Sequence, residues 1–218
     1  MLLLSGMPYV GKRTAIEKFA SEGFVVDTAD YVTNLITQNR SHYISHNSKA
    51  LGPHFEQYDD IVDNEYSFSF ELKNPYQIIV DNIRIGTQEW WESLNDTVNV
   101  VSPTIPWATE YMLEKELCST VILIKTPLEM QCRFSFEQNK TIDHRIKDLT
   151  AEKQERAYQG MMKYEVEKQV TRWRYIEELA ETKADHVIYN DSTIEDLKDA
   201  IGELIETENL KSEYGVVS

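Results

Sequence analysis

Near its amino terminus the chain reads Gly6-Met7-Pro8-Tyr9-Val10-Gly11-Lys12-Arg13-Thr14. The apolar stretch Leu2–Ser5 before it predicts a short buried strand, and Lys12–Ser21 predicts a helix. Two glycines between a strand and a helix let successive backbone N–H groups converge on an anion, and the helix N-terminus adds partial positive charge. Lys12 would add a full charge that reaches the β- and γ-phosphates of a nucleotide. We therefore predict that residues 6–14 bind the phosphates of ATP.

This loop differs at one position from the common phosphate-binding motif, in which a serine or threonine follows the lysine. Arg13 stands at that position, and Thr14 comes one residue later. Because only Thr14 has a hydroxyl, we predict that Thr14, and not Arg13, supplies the hydroxyl near magnesium or the phosphates, and that Arg13→Ser is tolerated if Arg13 points to solvent. The loop resembles that of adenylate kinases, where a residue without a hydroxyl also follows the lysine. The difference therefore favours a kinase over a GTPase or a motor protein.

Apolar segments along the rest of the chain alternate between strand-like and helix-like patterns. The predicted strands are Phe24–Val26, Gln77–Asp81, Thr97–Val101, Thr120–Lys125 and His186–Tyr189. The predicted helices are Ala29–Thr37, Glu110–Leu117, Ala151–Lys183 and Ile194–Ile205. This alternation predicts one α/β domain over residues 1–218, with three α/β/α layers and a mainly parallel sheet of five to six strands.

The net charge of the chain indicates which kinds of partner it favours. The chain has 22 basic and 37 acidic residues, for a net charge of −15. A chain so acidic repels a polyanion at long range, which makes an extended nucleic-acid surface improbable and favours a small-molecule substrate. A local basic pocket remains compatible with this charge. A monomer and a homodimer are both left open.

Two further features bear on location. The longest apolar runs, Leu2–Leu4 and Val121–Ile124, are far too short to cross a bilayer. Cys118 and Cys132 form no disulfide framework, and their spacing matches no zinc motif. We expect a protein of the reducing cytoplasm, or of the host cytoplasm if a phage encodes it, with no membrane partner.

Residues 4–36 resemble dephospho-coenzyme A kinases. The matching residues after the glycine loop are Phe19-Ala20, Gly23, Val25-Val26 and Ala29-Asp30, and a closing match is Ala184–Asn190. Thr28 replaces the first aspartate of that family's pattern, and Asp30 falls on the second. The resemblance implies that Asp30 takes the proton of a hydroxyl acceptor. Its position just after a predicted strand, where ligands bind in open α/β sheets, is consistent with that role.

Residues 79–89 resemble a second family, the phage deoxynucleoside monophosphate kinases. Arg84 matches an arginine of that family, while Asn82 and Gln88 replace an aspartate and a glutamate. The resemblance implies that Arg84 clamps a phosphate. Asp81 follows the apolar run Ile78–Val80, so we predict that it ends a strand and holds magnesium.

A basic stretch late in the chain completes the predicted site. Arg133, Lys140, Arg145 and Lys147 lie in or beside residues 135–149, which we predict to be a loop-like lid. In kinases of this shape such a lid closes over the donor phosphates and excludes water. We therefore place Arg145 among the catalytic residues and Arg133 among those that bind ATP.

Together these features predict an ATP- and magnesium-dependent kinase whose acceptor is a nucleotide, a free or modified deoxynucleotide. The two families share one fold, in which residues 31–75 would form the acceptor-binding insert. Three alternatives stay open: a dephospho-coenzyme A kinase, a phage-type kinase of the hydroxymethyl group of a modified pyrimidine in DNA, and a nucleotide-binding regulator without turnover.

Overall fold

The computed structural model describes residues 1–7, 9–29, 75–103, 106–142 and 144–216. Five strands form one sheet, and every neighbouring pair is parallel. The strands are β1 (Leu2–Ser5), β2 (Val26–Asp27), β3 (Val100–Val101), β4 (Thr120–Lys125) and β5 (His186–Tyr189). Their order across the sheet is β2-β3-β1-β4-β5.

The described helices cover both faces of this sheet. They are α1 (Lys12–Ser21), α2 (Pro75–Ser93), α3 (Pro106–Glu114), α4 (Leu128–Ile142), α5 (His144–Lys147), α6 (Ala151–Lys183), α7 (Ile194–Thr207) and α8 (Leu210–Glu213). On one face Leu3 and Val101 pack with residues of α2, α3 and α6. On the other, Leu2 and Leu4 pack with residues of α1, α7 and α8. The alternation of side chains along β1 thus supplies both cores, which confirms the predicted three-layer α/β architecture.

The topology fixes where ligands can bind. The chain leaves β1 through α1 on one face and leaves β3 through α3 on the opposite face. The neighbouring strands β1 and β3 therefore flank the point at which the winding direction reverses. Ligands in open α/β sheets bind outside the carboxyl ends of the strands at such a point. The glycine loop follows β1 and so lies at this crevice.

Several predicted boundaries are confirmed to the residue: β1, α1, β4, α6 and β5. The prediction of a strand at Gln77–Asp81 is wrong, because these residues lie within α2. The local run of β-branched residues favours a strand, but Pro75 suits the first turn of a helix. Thr87 and Trp90 are buried, three residues apart, as expected for a helix packed on the core. Packing over 19 residues outweighs the propensity of three.

The predicted loop-like lid is also wrong in its secondary structure. Helix α4 continues through Ile142, and α5 covers His144–Lys147. Phe136 and Tyr158 pack edge to face with ring centroids 5.5 Å apart, and Cys132 joins them in a small buried cluster. This cluster gives α4 a core of its own against α6. The proposed helix Ala29–Thr37 beyond Ala29, and the insert 31–75 except for Pro75, lie outside the described residues.

Candidate functional site

Both glycines of the loop occupy backbone conformations that other residues rarely adopt. Gly6 has φ +146° and Gly11 has φ +102°. A Cβ on Gly6 would lie 2.6 Å from the backbone oxygen of Ile124. A Cβ on Gly11 would lie 2.6 Å from Leu197 and 2.8 Å from the side-chain nitrogen of Asn190. The loop is therefore closely packed against β4 and α7, and only glycine fits at either position without strain.

The tip of the loop is anchored by residues that directly follow two strands. The Thr126 hydroxyl donates to the Val10 carbonyl at 3.1 Å, and the Asn190 amide donates to the same oxygen at 2.9 Å. The Asn190 backbone N–H bonds to Lys125 at 2.7 Å. All of the side chains in this anchor are buried. Sequence reasoning missed Thr126 and assigned no role to Asn190, which it named only as the end of the match Ala184–Asn190, although both lie one residue past a predicted strand.

Helix α1 begins directly after the loop. Gly11 is its N-cap, no side chain caps it, and its first turn contains no acidic residue. The first turn of a helix leaves backbone N–H groups without partners inside the helix, and they carry partial positive charge. This end of α1 therefore favours an anion.

Lys12 folds back onto the loop. Its Nζ donates to the carbonyl of Gly6 and, at 2.9 Å, to that of Met7. Burial lowers the pKa of Lys12 to about 8. These carbonyls are weak partners for an ammonium compared with a phosphate, because they carry no net charge. The Lys12 ammonium thus lies beside the loop, where a phosphate would bind it more strongly than the two carbonyls do.

The two residues after Lys12 differ in their surroundings. The Arg13 side chain is 91% exposed and bonds to Glu17 at 3.2 Å. Thr14 lines the groove in front of the loop, as do Lys12 and Arg13. This placement is compatible with a hydroxyl role for Thr14, which stays a prediction.

The end of β3 carries a hydroxyl rather than a carboxylate. Ser102 follows Val101 directly, and Pro103 comes next. The Ser102 hydroxyl donates to the Leu4 carbonyl at 3.2 Å, which ties the ends of β3 and β1 together. Ser102 and Thr28 both line the groove. Sequence reasoning missed Ser102.

A carboxylate does end the next strand. Asp27 is the last residue of β2, and its Oδ1 accepts the Ala29 N–H at 2.7 Å and the Trp90 indole N–H at 3.1 Å. Ala29 is buried and has φ +56°, a left-handed conformation unusual for a residue with a Cβ. Sequence reasoning missed Asp27, although its position directly after the apolar segment Phe24–Val26 could have indicated a carboxylate at a strand end.

The groove in front of the loop has a volume of about 1150 Å³. It runs from the loop and the start of α1 to α4 and the turn that precedes α7. Phe134 and Ile194 line it with side chains that are 38% and 56% exposed. Gln138, Ser192 and Thr193 add polar groups along the same wall. Apolar walls with a few polar groups are typical of ligand pockets.

Two predicted site residues are engaged elsewhere. Arg84 lies 3.5 Å from Glu114 and 4.0 Å from Glu110, so it joins α2 to α3. Arg133 stacks 3.6 Å above the centre of the Tyr158 ring and lies 3.5 Å from Glu155. Neither arginine is among the residues that line the groove. Both arginines contribute here to helix packing, and their proposed contacts with phosphate have no support from this arrangement.

The remaining predicted residues are only partly placed. Asp81 lies inside α2 rather than at a strand end, so its assignment to magnesium loses the position it depended on. Arg145 lies in α5. Pro8 and Asp30 fall outside the described residues.

A magnesium ion that bridges nucleotide phosphates usually keeps several waters and takes only one or two protein ligands. The described residues contain no group of three or more histidine, cysteine, aspartate or glutamate side chains that could hold a metal ion. The oxygens of Thr14 and Ser102 at the groove nevertheless fit a metal that is held mostly by phosphates and water.

No helix in the described part of the chain is long and apolar enough to span a membrane.

No protein-family model matches this chain, and no curated protein matches it significantly in sequence. Among solved structures it is similar to TT1252 from Thermus thermophilus, with TM-score 0.54 and 17% identity over 94% of this chain and 96% of that one. Two shikimate kinases have lower TM-scores. That from Acinetobacter baumannii has TM-score 0.44 and 13% identity over 96% of this chain and 94% of that one. That from Bacteroides thetaiotaomicron has TM-score 0.47 and 14% identity over 94% and 97%. At such identities the likeness to TT1252 concerns the fold alone. Together with the sheet order, it supports a three-layer α/β fold with a parallel sheet.

Proposed function

We propose that this protein is an ATP-dependent phosphotransferase, a kinase of the phosphate-loop type that uses magnesium. One observation carries the proposal: the loop from Gly6 to Gly11 joins β1 to α1 at the switch point of the sheet, and Lys12 lies beside it. The backbone N–H groups of the loop and of the first turn of α1 provide an anion site.

The donor nucleotide fits the groove from the loop outward. The phosphates would lie on the loop and the start of α1, and Lys12 would exchange the carbonyls of Gly6 and Met7 for the β- and γ-phosphates. Magnesium would be held by the phosphates, by water and by Thr14 or Ser102, and would neutralise charge that develops during transfer. The base would lie toward Phe134 and Ile194, whose exposed apolar surfaces offer it a stacking contact.

For the acceptor we propose a nucleotide-type molecule, a free or modified deoxynucleotide. The net charge of −15 disfavours a DNA duplex as substrate and so weighs against the DNA-modifying alternative. A dephospho-coenzyme A kinase stays a second candidate, since Asp27 supplies a carboxylate at the carboxyl edge of the sheet, as a hydroxyl acceptor requires. The third alternative, a regulator, would bind ATP without turnover.

A coupled assay of ADP formation with a panel of acceptors tests the proposal. The panel contains deoxynucleoside monophosphates, dephospho-coenzyme A, and single-stranded DNA with hydroxymethylated pyrimidines. We expect ADP formation that depends on one acceptor class and on magnesium. Tight ATP binding with no ADP formation for any acceptor would contradict the kinase and favour the regulator.

The matching variant is Lys12→Ala, with Lys153→Ala as control because Lys153 is exposed at the start of α6. Loss of one preorganised charge at the phosphates should lower kcat at least about 10²-fold. Lys153→Ala should retain wild-type turnover. A folded Lys12→Ala protein with near wild-type transfer would show that the loop does not act on the phosphates.

A further inference from the structure

We propose that Trp90 is a positioning residue of the kinase site, whose indole N–H holds the Asp27 carboxylate for phosphoryl transfer. This inference rests on the proposed function. It concerns the place where β2 and β3 end side by side and where the next residues, Thr28 and Ser102, line the groove. Asp27 and Val101 are in register there, and the Ser102 N–H bonds to the Asp27 carbonyl at 2.9 Å.

The first support is the way in which the carboxylate is held. Both donors, the Ala29 N–H and the Trp90 indole, bond to the same oxygen, Oδ1. The described residues make no hydrogen bond to Oδ2. A carboxylate fixed through one oxygen keeps the other for a donor that arrives with the substrates.

The second support is the rigidity of both donors. Trp90 is 4% exposed and lies in the core formed by α2, α3, α6 and the sheet. Ala29 is 1% exposed and holds its left-handed conformation although it is not glycine. Strained backbone of this kind persists only where surrounding structure stabilises it, and it clusters at functional sites.

The third support is that Asp27 supplies a carboxylate where the neighbouring strand β3 supplies none. Strand β3 is followed by Ser102, so within the described part of the chain the carboxylate at this place comes from the end of β2. During transfer the acceptor oxygen bonds to the γ-phosphorus and the bond to the bridging oxygen of ADP breaks. A hydroxyl acceptor also releases a proton, which Asp27 Oδ2 would take. If the acceptor is already ionised, the same oxygen would accept a hydrogen bond from a water on magnesium.

A double-mutant cycle with Asp27→Asn and Trp90→Phe tests the proposal. Trp91→Phe is the matched control, because Trp91 packs beside Trp90 with ring centroids 6.4 Å apart and is partly buried against the same core. We expect Asp27→Asn to lower kcat by about 10²-fold or more. Trp90→Phe should lower kcat about tenfold, the scale of a lost hydrogen bond to a charged group, with the KM for ATP changed less than about twofold.

The cycle separates positioning from general packing. If Trp90 acts through Asp27, adding Trp90→Phe to Asp27→Asn should lower kcat by less than about twofold more. Trp91→Phe should leave kcat and KM unchanged. Full additivity of the two substitutions, or equal losses in the Trp90 and Trp91 variants, would overturn the proposal. Weaker binding of magnesium in Asp27→Asn would identify the metal-bound water as the donor, and unchanged magnesium dependence would identify the acceptor hydroxyl.

A measurement on folded protein with Trp90 intact covers the case in which Trp90→Phe does not fold. The indole ¹H–¹⁵N resonance of Trp90 should move in Asp27→Asn, since its acceptor loses charge, while that of Trp91 stays in place. An unmoved Trp90 resonance would overturn the proposal. Absence of ADP formation by the wild-type protein would instead overturn the proposed function and this inference with it, whereas wild-type turnover with an unaffected Trp90→Phe variant would overturn the positioning role alone.

Discussion

The two sides of the crevice are built differently. On the side of the glycine loop, β1, β4 and β5 have four to six residues, and the tip of the loop that follows β1 is held by Thr126 and Asn190. On the other side, β2 and β3 have two residues each, and the carboxylate is held by a side chain of α2. The side of the glycine loop positions backbone groups, which a local sequence motif can specify. The other side positions a side chain through a helix 63 residues away in the chain.

The difference predicts that glycine substitutions have very unequal effects. Gly11→Ala should destabilise the protein by about 2–4 kcal/mol, because a Cβ there meets Leu197 and Asn190 and the left-handed conformation is strained. Gly160→Ala is the control: Gly160 lies in α6 with open space around it, so alanine should stabilise by about 0.5–1 kcal/mol. Denaturant unfolding measures both. Equal effects would mean that the loop is not the tightly fitted element described above.

The hydroxyl after the loop gives a smaller effect, on turnover. Thr14→Ala should lower kcat about tenfold, the scale of losing one hydrogen bond near a charged group. Arg13→Ser should retain wild-type kcat within about twofold, because its exposed side chain bonds only to Glu17 in the described structure and such pairs contribute little. Steady-state kinetics with saturating MgATP compares the two. The reverse pattern, a damaged Arg13 variant and a normal Thr14 variant, would reassign the roles.

The pH dependence of ATP binding tests the state of Lys12. In the free protein its pKa is lowered to about 8, and phosphates favour the charged form. Binding should therefore take up a proton above pH 8, and affinity should fall by up to about tenfold per pH unit from there. The stability of the protein without ligand should change in the opposite direction, and rise with pH. The unfolded chain holds this proton up to its ordinary pKa, so Lys12 makes unfolding less favourable as pH rises from 8 toward 10.5.

Isothermal titration calorimetry at several pH values, in buffers of different ionisation enthalpy, measures the proton uptake. Lys12→Met should bind more weakly and show no uptake linked to this residue. An uptake that persists unchanged in Lys12→Met would assign it to another group.

The smallest effect is expected on the other side of the crevice, at Arg84. Arg84→Met should change the free energy of unfolding by no more than about 1 kcal/mol, since its ion pairs with Glu110 and Glu114 are partly exposed. Its kcat should stay within about twofold of wild type. A loss of 10²-fold in kcat would restore the phosphate contact that the sequence resemblance implied.

The sequence was most informative where the pattern is local. Apolar runs bounded by polar residues define β1, β4 and β5, and the glycine spacing defines the start of α1. Its local patterns predicted the wrong structure or partner where long-range packing determines the outcome. The run Ile78–Val80 alone predicts a strand. In the structure it lies in α2, whose buried face includes Thr87 and Trp90. Arg133 was chosen for its charge, but the turn of α4 directs it to Tyr158 and places Phe134 along the groove. Asp27 and Asn190 acquire their roles from partners that no local pattern reveals.

The most direct test is a crystal structure with magnesium and a non-hydrolysable ATP analogue. We predict phosphates on the backbone N–H groups between Tyr9 and Thr14, the base near Phe134 and Ile194, and Lys12 Nζ on the β- and γ-phosphates instead of on the carbonyls of Gly6 and Met7. A nucleotide bound elsewhere, with Lys12 still on those carbonyls, would contradict it.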